Sequence, residues 1–379
     1  STDLSELLRI AFEDYWPPLH YLVLNTITRI GDTGLEWMRT PSTLFGTATV
    51  LAMYGLGRDL FGRRIAGLVA ATMLAGMTSH VLYSQESRVY AMQLFFAVLS
   101  ARYFYLSFWE RRISVGFLIS TTLLTYSHSF ASWYFIAGQC VYVAVAWLIW
   151  RDGEQFKKGF LSQLAVLLLW TPLVAGFVHA RLARDIVVPT YWATGPETPT
   201  GIFDLIELYQ ALAVRSWAGA AFMALMFGLA LLPLLRRGFL TADDTDQAEQ
   251  VEHRYGRAVV FLLCWMTVPI AFSYVVSAAT TLDTFGATRY HLTVLPGMCL
   301  LATAGIALIR SRASLGAVLA LLVLLPASQL ARHYAEFEAE RADVEAAAAL
   351  VRANETPGEP IYIGNTFRAF AYYPVSYTH

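Results

Sequence analysis

Residues 83–91 read Tyr-Ser-Gln-Glu-Ser-Arg-Val-Tyr-Ala and lie between two long apolar runs, 65–82 and 89–108. Glu86 and Arg88 therefore stand at the junction of two expected membrane helices. A charge near bilayer depth costs ~2.5–3.5 kcal/mol on insertion scales, so such residues mark a site or a pathway by default. Residues two apart on a helix do not face each other, so this acid and this base are expected to meet separate partners. Gln85 and Tyr90 beside them can hydrogen-bond a polar ligand, although tyrosine also anchors membrane interfaces. Arg289 opens a later apolar run beside Tyr290 and His291. A guanidinium there can grip phosphate oxygens in a bidentate fork, or it can snorkel to the interface. His128 lies in the hydroxyl-rich break Thr125-Tyr126-Ser127-His128-Ser129 and suits a phosphate contact or a satisfied core position equally. Asp14 precedes Pro17-Pro18; it suits a carboxylate of the site, a ligand for a divalent cation, or a helix N-cap. His20, just past the proline pair, reads as a substrate contact or as a satisfied interfacial histidine.

The elements that must carry these residues follow from composition. The chain is 56% hydrophobic and 15% charged, with a mean hydropathy of +0.49. Globular domains carry roughly 25% charged residues, so a polytopic all-α membrane protein is expected. The net charge of −1 supports no nucleic-acid partner. Cys140, Cys264 and Cys299 all lie in apolar runs, which points to buried thiols rather than disulfides or a metal site. A span needs about 20 mainly apolar residues, and about ten candidates appear: 38–57, 65–83, 89–108, 113–127, 129–150, 159–178, 215–235, 258–279, 290–309 and 313–330.

One set of connections holds Arg58, Arg63, Arg64, Arg111, Arg112, Arg151, Lys157, Lys158, Arg236, Arg237, Arg254, Arg257, Arg310 and Arg312. The alternate set holds only Arg88, Arg181, Arg184, Arg215 and Arg289. The positive-inside rule places the richer set in the cytoplasm. The Glu86 knot, the His128 break and the Arg289 segment are then expected to share the outer face. Residues 15–30 read as an amphipathic helix on that surface, within an outer segment 1–37 that precedes the multi-span domain 38–330. Residues 332–353 read as a helix. After the Pro357-Gly358 turn, 360–364 reads as a strand, so 331–379 is expected to begin a small outer α/β domain. Trp16, Trp133, Trp192 and Trp217 are expected in the aromatic belt.

Several segments together resemble one family. They are Asp14-Tyr-Trp-Pro-Pro-Leu-His-Tyr, Gly31-Asp32 with Arg39, Gly57-Arg-Asp-Leu-Phe-Gly-Arg-Arg, the 83–91 knot, Tyr126-Ser-His-Ser, and Arg289-Tyr-His-Leu-Thr-Val-Leu-Pro. Their order is similar to that of the GT-C membrane glycosyltransferases, which include bacterial protein O-mannosyltransferases and the lipid A aminoarabinose transferase. The resemblance implies transfer of a sugar from a polyprenyl-phosphate donor to a protein, glycan or lipid acceptor at the outer face of the inner membrane. Such a reaction needs a carboxylate to take the acceptor proton and donors to hold the departing phosphate. On this resemblance Asp14 and Glu86 are the acids that bear on catalysis. His20, Gln85, Arg88, Tyr90, His128, Arg289 and Tyr290 are the substrate contacts. The resemblance also implies an Asp-Glu pair in the first outer loop, and nothing before Asp14 matches it. The chain, which opens without Met, is therefore expected to be a piece of a longer protein. A transporter or lipid flippase is the alternative, but the polar residues gather at one face and no internal repeat is visible.

Overall fold

A computed structural model describes residues 3–13, 16–31, 34–111, 113–184, 201–213, 215–235, 247–279, 284–286, 288–309, 311–340 and 344–354. The described residues are mostly helical: α1 (Leu4–Glu13), α2 (Leu19–Ile30), α3 (Leu35–Phe61), α4 (Arg64–Gly76), α5 (Thr78–Ser84), α6 (Tyr90–Trp109), α7 (Val115–Ser127), α8 (Ser129–Trp150), α9 (Gly153–Arg184), α10 (Ile202–Leu212), α11 (Trp217–Leu231), α12 (Gln247–Ala279), α13 (Leu295–Ile306), α14 (Arg312–Glu340) and α15 (Val344–Asn354). A 3₁₀ segment, Thr288–Val294, leads directly into α13. The chain divides into two compact units, Ser1–Gln329 and Leu330–His379. The first holds everything considered below. In the second, α15 is an Ala-rich helix, and the expected strand at 360–364 lies outside the described residues.

Six described helices are long and apolar enough to cross a bilayer: Tyr90–Trp109, Ala131–Trp150, Gly153–His179, Trp217–Leu234, His253–Ala279 and Arg312–Ala335. The expected span 65–83 is broken instead. Its two parts, α4 and α5, meet at Met77 with a 67° bend and make a seventh crossing only if taken together. The expectation of about ten spans is therefore met only in part. At 38–57 the chain does form the long helix α3, but hydroxyl residues make it too polar to count. Some of those hydroxyls are satisfied within the helix, Thr47 and Thr49 donating to the carbonyls of Thr43 and Phe45. At 290–309 the first turns are 3₁₀, and α13 is a fully buried helix of 12 residues. The break inside 113–150 falls where expected, with α7 ending at Ser127, His128 extended, and α8 starting at Ser129.

Packing explains the sequence of small residues. α3 and α4 lie so close that a Cβ on Gly67 would stand 2.4 Å from the Tyr54 carbonyl oxygen; small residues allow such approach between membrane helices. The centre of the bundle is aromatic: Phe104, Phe117, Tyr142 and Phe261 are all fully buried, and the Tyr142 and Phe261 rings stand 5.1 Å apart, edge to face. Some polar groups at depth are paired, whereas the Gln93 side chain, buried in α6, has no partner among the described residues. Ser100 and Thr121 share a 2.7 Å hydrogen bond, Gln139 donates to Ser100, and Gln163 donates to Gln139, so that one thread ties α6, α7, α8 and α9. Cys264 and Cys299 are buried as expected, whereas Cys140 is exposed on the helix surface; all three are free thiols. An α-helix rises ~1.5 Å per residue, so α6 separates its two ends by about 30 Å, one hydrocarbon thickness. Trp109 at one end packs on Trp150 and under the Arg257 guanidinium. Tyr90 stands at the other.

Candidate functional site

The Tyr90 end collects residues far apart in sequence. Pro18 caps α2, as its fixed φ suits a helix start, and places His20 in a buried position. The His20 ring hydrogen-bonds to the Ser87 main chain and lies near Arg88, and burial pushes its pKa down to about 4. It holds α2 against the 85–89 knot as a neutral imidazole. The knot is pinned from its other side by α3. Ser42 Oγ donates to the Arg88 carbonyl at 3.1 Å, Thr43 to the Ser84 carbonyl, and Ser87 Oγ donates back to the Met38 carbonyl at 3.0 Å. The hydroxyls that make α3 polar thus serve the carbonyls that the broken helix leaves open.

Around this clamp the side chains converge. Tyr83 and Tyr90 are 5.0 Å apart, edge to face. His128 lies 6.1 Å from Tyr90, 5.5 Å from Tyr290 and 6.4 Å from Trp16. Its ring is buried, and among the described residues neither ring nitrogen has a hydrogen-bond partner. Such a group costs about 1–3 kcal/mol unless something meets it. The Arg289 guanidinium sits over the Tyr290 ring at 5.1 Å and acts electrostatically on both Tyr83 and Tyr90. Arg88 acts on Tyr90, while Glu86 and Arg215 act on Tyr83. The arrangement is a cluster of aromatic rings with the Arg289 guanidinium over one of them and Arg88, Arg215 and Glu86 within electrostatic range, suited to a phosphorylated polar ligand.

The 3₁₀ segment that carries Arg289 and Tyr290 is anchored from below. His291 is fully buried, with Nε2 3.4 Å from Ser273 Oγ and 3.2 Å from the Phe285 carbonyl oxygen. Trp265 Nε1 donates to the Thr293 carbonyl at 2.7 Å. Tyr134 donates to Thr284 at 2.8 Å, and Thr284 is within 3.2 Å of Ser277. The anchor buries one face of the segment and leaves Arg289 exposed on the other.

Of the residues anticipated from sequence, His20, Arg88, Tyr90, His128, Arg289 and Tyr290 come together here, with Glu86 beside Tyr83. Gln85 is half-buried in the knot. Asp14 lies outside the described residues. Among the described residues no group of three or more His, Cys, Asp or Glu stands close enough to hold a metal ion. Two contributors were not anticipated. Trp16, expected in the aromatic belt, packs on His128 with the two rings nearly perpendicular. Arg215, read only as a loop charge, comes within electrostatic range of Tyr83; its backbone takes a positive φ of 50°. Neither has a sequence signature, since both depend on where α2 and α10 land.

Residues 16–179 match the family model of dolichyl-phosphate-mannose-protein mannosyltransferases. This agrees with the resemblance read from the sequence motifs. The matched stretch is a little under half of the 379-residue chain and holds Trp16, His20, the 83–90 knot and His128, whereas Arg215, Arg289 and Tyr290 fall outside it. No curated protein matches the chain. Residues 16–179 are thus similar to membrane mannosyltransferases, and the apolar helices fit a multi-pass membrane protein.

Proposed function

We propose that the protein transfers a mannose-like sugar from a polyprenyl-phosphate donor to an acceptor hydroxyl at the outer face of the inner membrane. The acceptor is a protein, glycan or lipid. The observation that carries the proposal is the meeting of Arg289 and Tyr290, from beyond the family match, with Tyr83, Tyr90 and His128 from within it.

In this reading Arg289 holds the donor phosphate, assisted by Arg215 and Arg88. The acceptor oxygen attacks the anomeric carbon as the bond from that carbon to the phosphate oxygen breaks. The electron pair leaves with the polyprenyl phosphate, whose oxygens gain charge that the guanidiniums stabilise most strongly at the transition state. The acceptor proton passes to a carboxylate, for which Glu86 and Asp14 are the candidates in this chain. The nitrogens of His128 meet a sugar or phosphate oxygen, and the tyrosines supply aromatic surface. A divalent cation, if one takes part, would be held through Asp14. The transport reading has less support, because the aromatic and charged side chains of the candidate site gather at the Tyr90 end of α6 and a hydrogen-bond thread joins α6, α7, α8 and α9.

The test is an assay of full-length protein in liposomes with radiolabelled polyprenyl-phosphate mannose and, separately, with other polyprenyl-phosphate sugars. Release of polyprenyl phosphate coupled to labelled acceptor is expected, and Glu86→Gln should slow it while the protein still folds. Donor movement between leaflets with no sugar transfer would instead establish the flippase.

A further inference from the structure

A cavity of about 580 Å³ lies among the end of α3, the start of α4, the start of α12 and the α13–α14 junction. It belongs to the end of the bundle opposite the Tyr90 cluster, where the sequence concentrates its arginines. Its lining is divided in two. Ala66, Thr303 and Ile306 are buried at its floor, with Val69 and Leu315 half-buried beside them. Ile65 and Leu319 continue the apolar surface outward and are 62% and 38% exposed, as expected of a wall that faces lipid. Arg63 and Arg254, both exposed, line the same cavity.

The charge is built in rather than incidental. Arg254 Nε donates to the Leu60 carbonyl at 3.2 Å and Nη2 to the Asp59 carbonyl, so the end of α3 orients the guanidinium through main-chain oxygens. The Asp59 carboxylate is engaged by Arg102 at 2.6 Å and by Arg58 at 2.8 Å. Gly62 makes the crossing feasible. It closes α3 in the left-handed conformation with φ 69°, and a Cβ there would stand 3.1 Å from Arg254 Nη1. Arg63 is the extended residue that opens α4, whose first turn carries no acid. The positive end of the helix dipole thus adds to the two guanidiniums.

We propose that this cavity binds an anionic glycerophospholipid, with the phosphate between Arg63 and Arg254 and one acyl chain along Val69, Ile306, Leu315 and Leu319. A free phosphate would satisfy the arginines but leave the apolar wall uncovered; a zwitterionic lipid would cover the wall but gain less from the arginines. Basic pockets between membrane helices recognise anionic headgroups on these terms. Occupancy would tie α4 to α13, the helix that continues directly from the Arg289 segment.

The test is native mass spectrometry of the full-length protein in detergent, titrated with phosphatidylglycerol and with phosphatidylcholine of the same chains. Wild-type protein should retain phosphatidylglycerol preferentially. Arg63→Gln should lower its apparent affinity roughly five-fold, and the Arg63→Gln/Arg254→Gln pair further, in line with the contribution of a basic residue near an anionic headgroup. Arg254 also caps α3; should that change unfold the protein, Arg63→Gln and the groove-filling Leu315→Trp, which should weaken both lipids, carry the test alone. Equal retention of the two lipids by the wild type, or no response to Arg63→Gln, overturns the proposal. Full displacement of phosphatidylglycerol by millimolar inorganic phosphate would also overturn it, in favour of a free-anion site.

Discussion

Replacing Arg289 tests the proposed donor site most directly. Its guanidinium is exposed, lies 5.1 Å over Tyr290, and is within electrostatic range of Tyr83 and Tyr90. The segment that carries it is held separately through His291 and through Trp265 bonded to the Thr293 carbonyl, so Arg289→Ala should leave the fold intact. A hydrogen bond to a charged group contributes about 1.5–3 kcal/mol, and the exposure of this arginine places the loss near the lower bound. One factor of ten corresponds to about 1.4 kcal/mol, so kcat/KM for the lipid-phosphate sugar should fall on the order of ten-fold. Both constants should change, because the phosphate is bound in the ground state and gains charge as the sugar departs. Arg289→Lys keeps a point charge but loses the planar fork, and should recover part of the binding and little of kcat. The assay is initial-rate transfer in liposomes, with size-exclusion elution and thermal unfolding as controls on folding. A kcat/KM within two-fold of wild type for folded Arg289→Ala would refute the assignment of phosphate to this residue. Full recovery of kcat by lysine would refute the role of the fork.

Three other outcomes follow from the packing. His20 is neutral in the folded state, with its pKa pushed down to about 4 by burial, against about 6.5 in an unfolded chain. The unfolded state therefore binds the extra proton between these values, and stability should fall as pH drops from about 6.5 toward 4, by at most about 3 kcal/mol. His20→Gln should flatten that part of the pH–stability curve in detergent, and an unchanged slope would remove His20 as its source. Gln139→Leu breaks the thread that joins Ser100 to Gln163; membrane hydrogen bonds average ~0.6 kcal/mol and reach ~1.7, so a small loss of thermal stability is expected with transfer activity retained. Gly67→Val places a side chain where a Cβ alone would be 2.4 Å from the Tyr54 carbonyl oxygen. Overpacking of this kind costs about 1–3 kcal/mol or more, and reduced yield of folded protein in fluorescence-detected size exclusion should report it; a normal elution profile and melting curve would show that α3 and α4 can separate.

Much of the candidate site was legible in the chain because polar residues are conspicuous among apolar runs. Glu86, Arg88, His128 and Arg289 each interrupt such a run, and the alternation of arginine-rich connections assigned them to one side. Trp16 and Arg215 were not legible as site residues. A tryptophan before a proline pair looks like any interfacial anchor, and Arg215 resembles any loop charge until its neighbours are known. The span count differed for a related reason. Hydropathy along a window registers neither the break at Met77 nor the short length of α13, which is tolerated because the helix is buried in protein on every side.

The sequence alone determined that this is a helical membrane protein, where its main interruptions fall, and which family it resembles, because membrane insertion imposes composition and periodicity locally. Only the tertiary structure decided that the Ser42, Thr43 and Ser87 hydroxyls clamp the knot, and that buried His291 anchors the segment that carries Arg289 near Tyr83 and Tyr90. Those outcomes depend on contacts between helices distant in the chain. A polar residue buried among helices is settled by whichever partner the packing brings within hydrogen-bond distance.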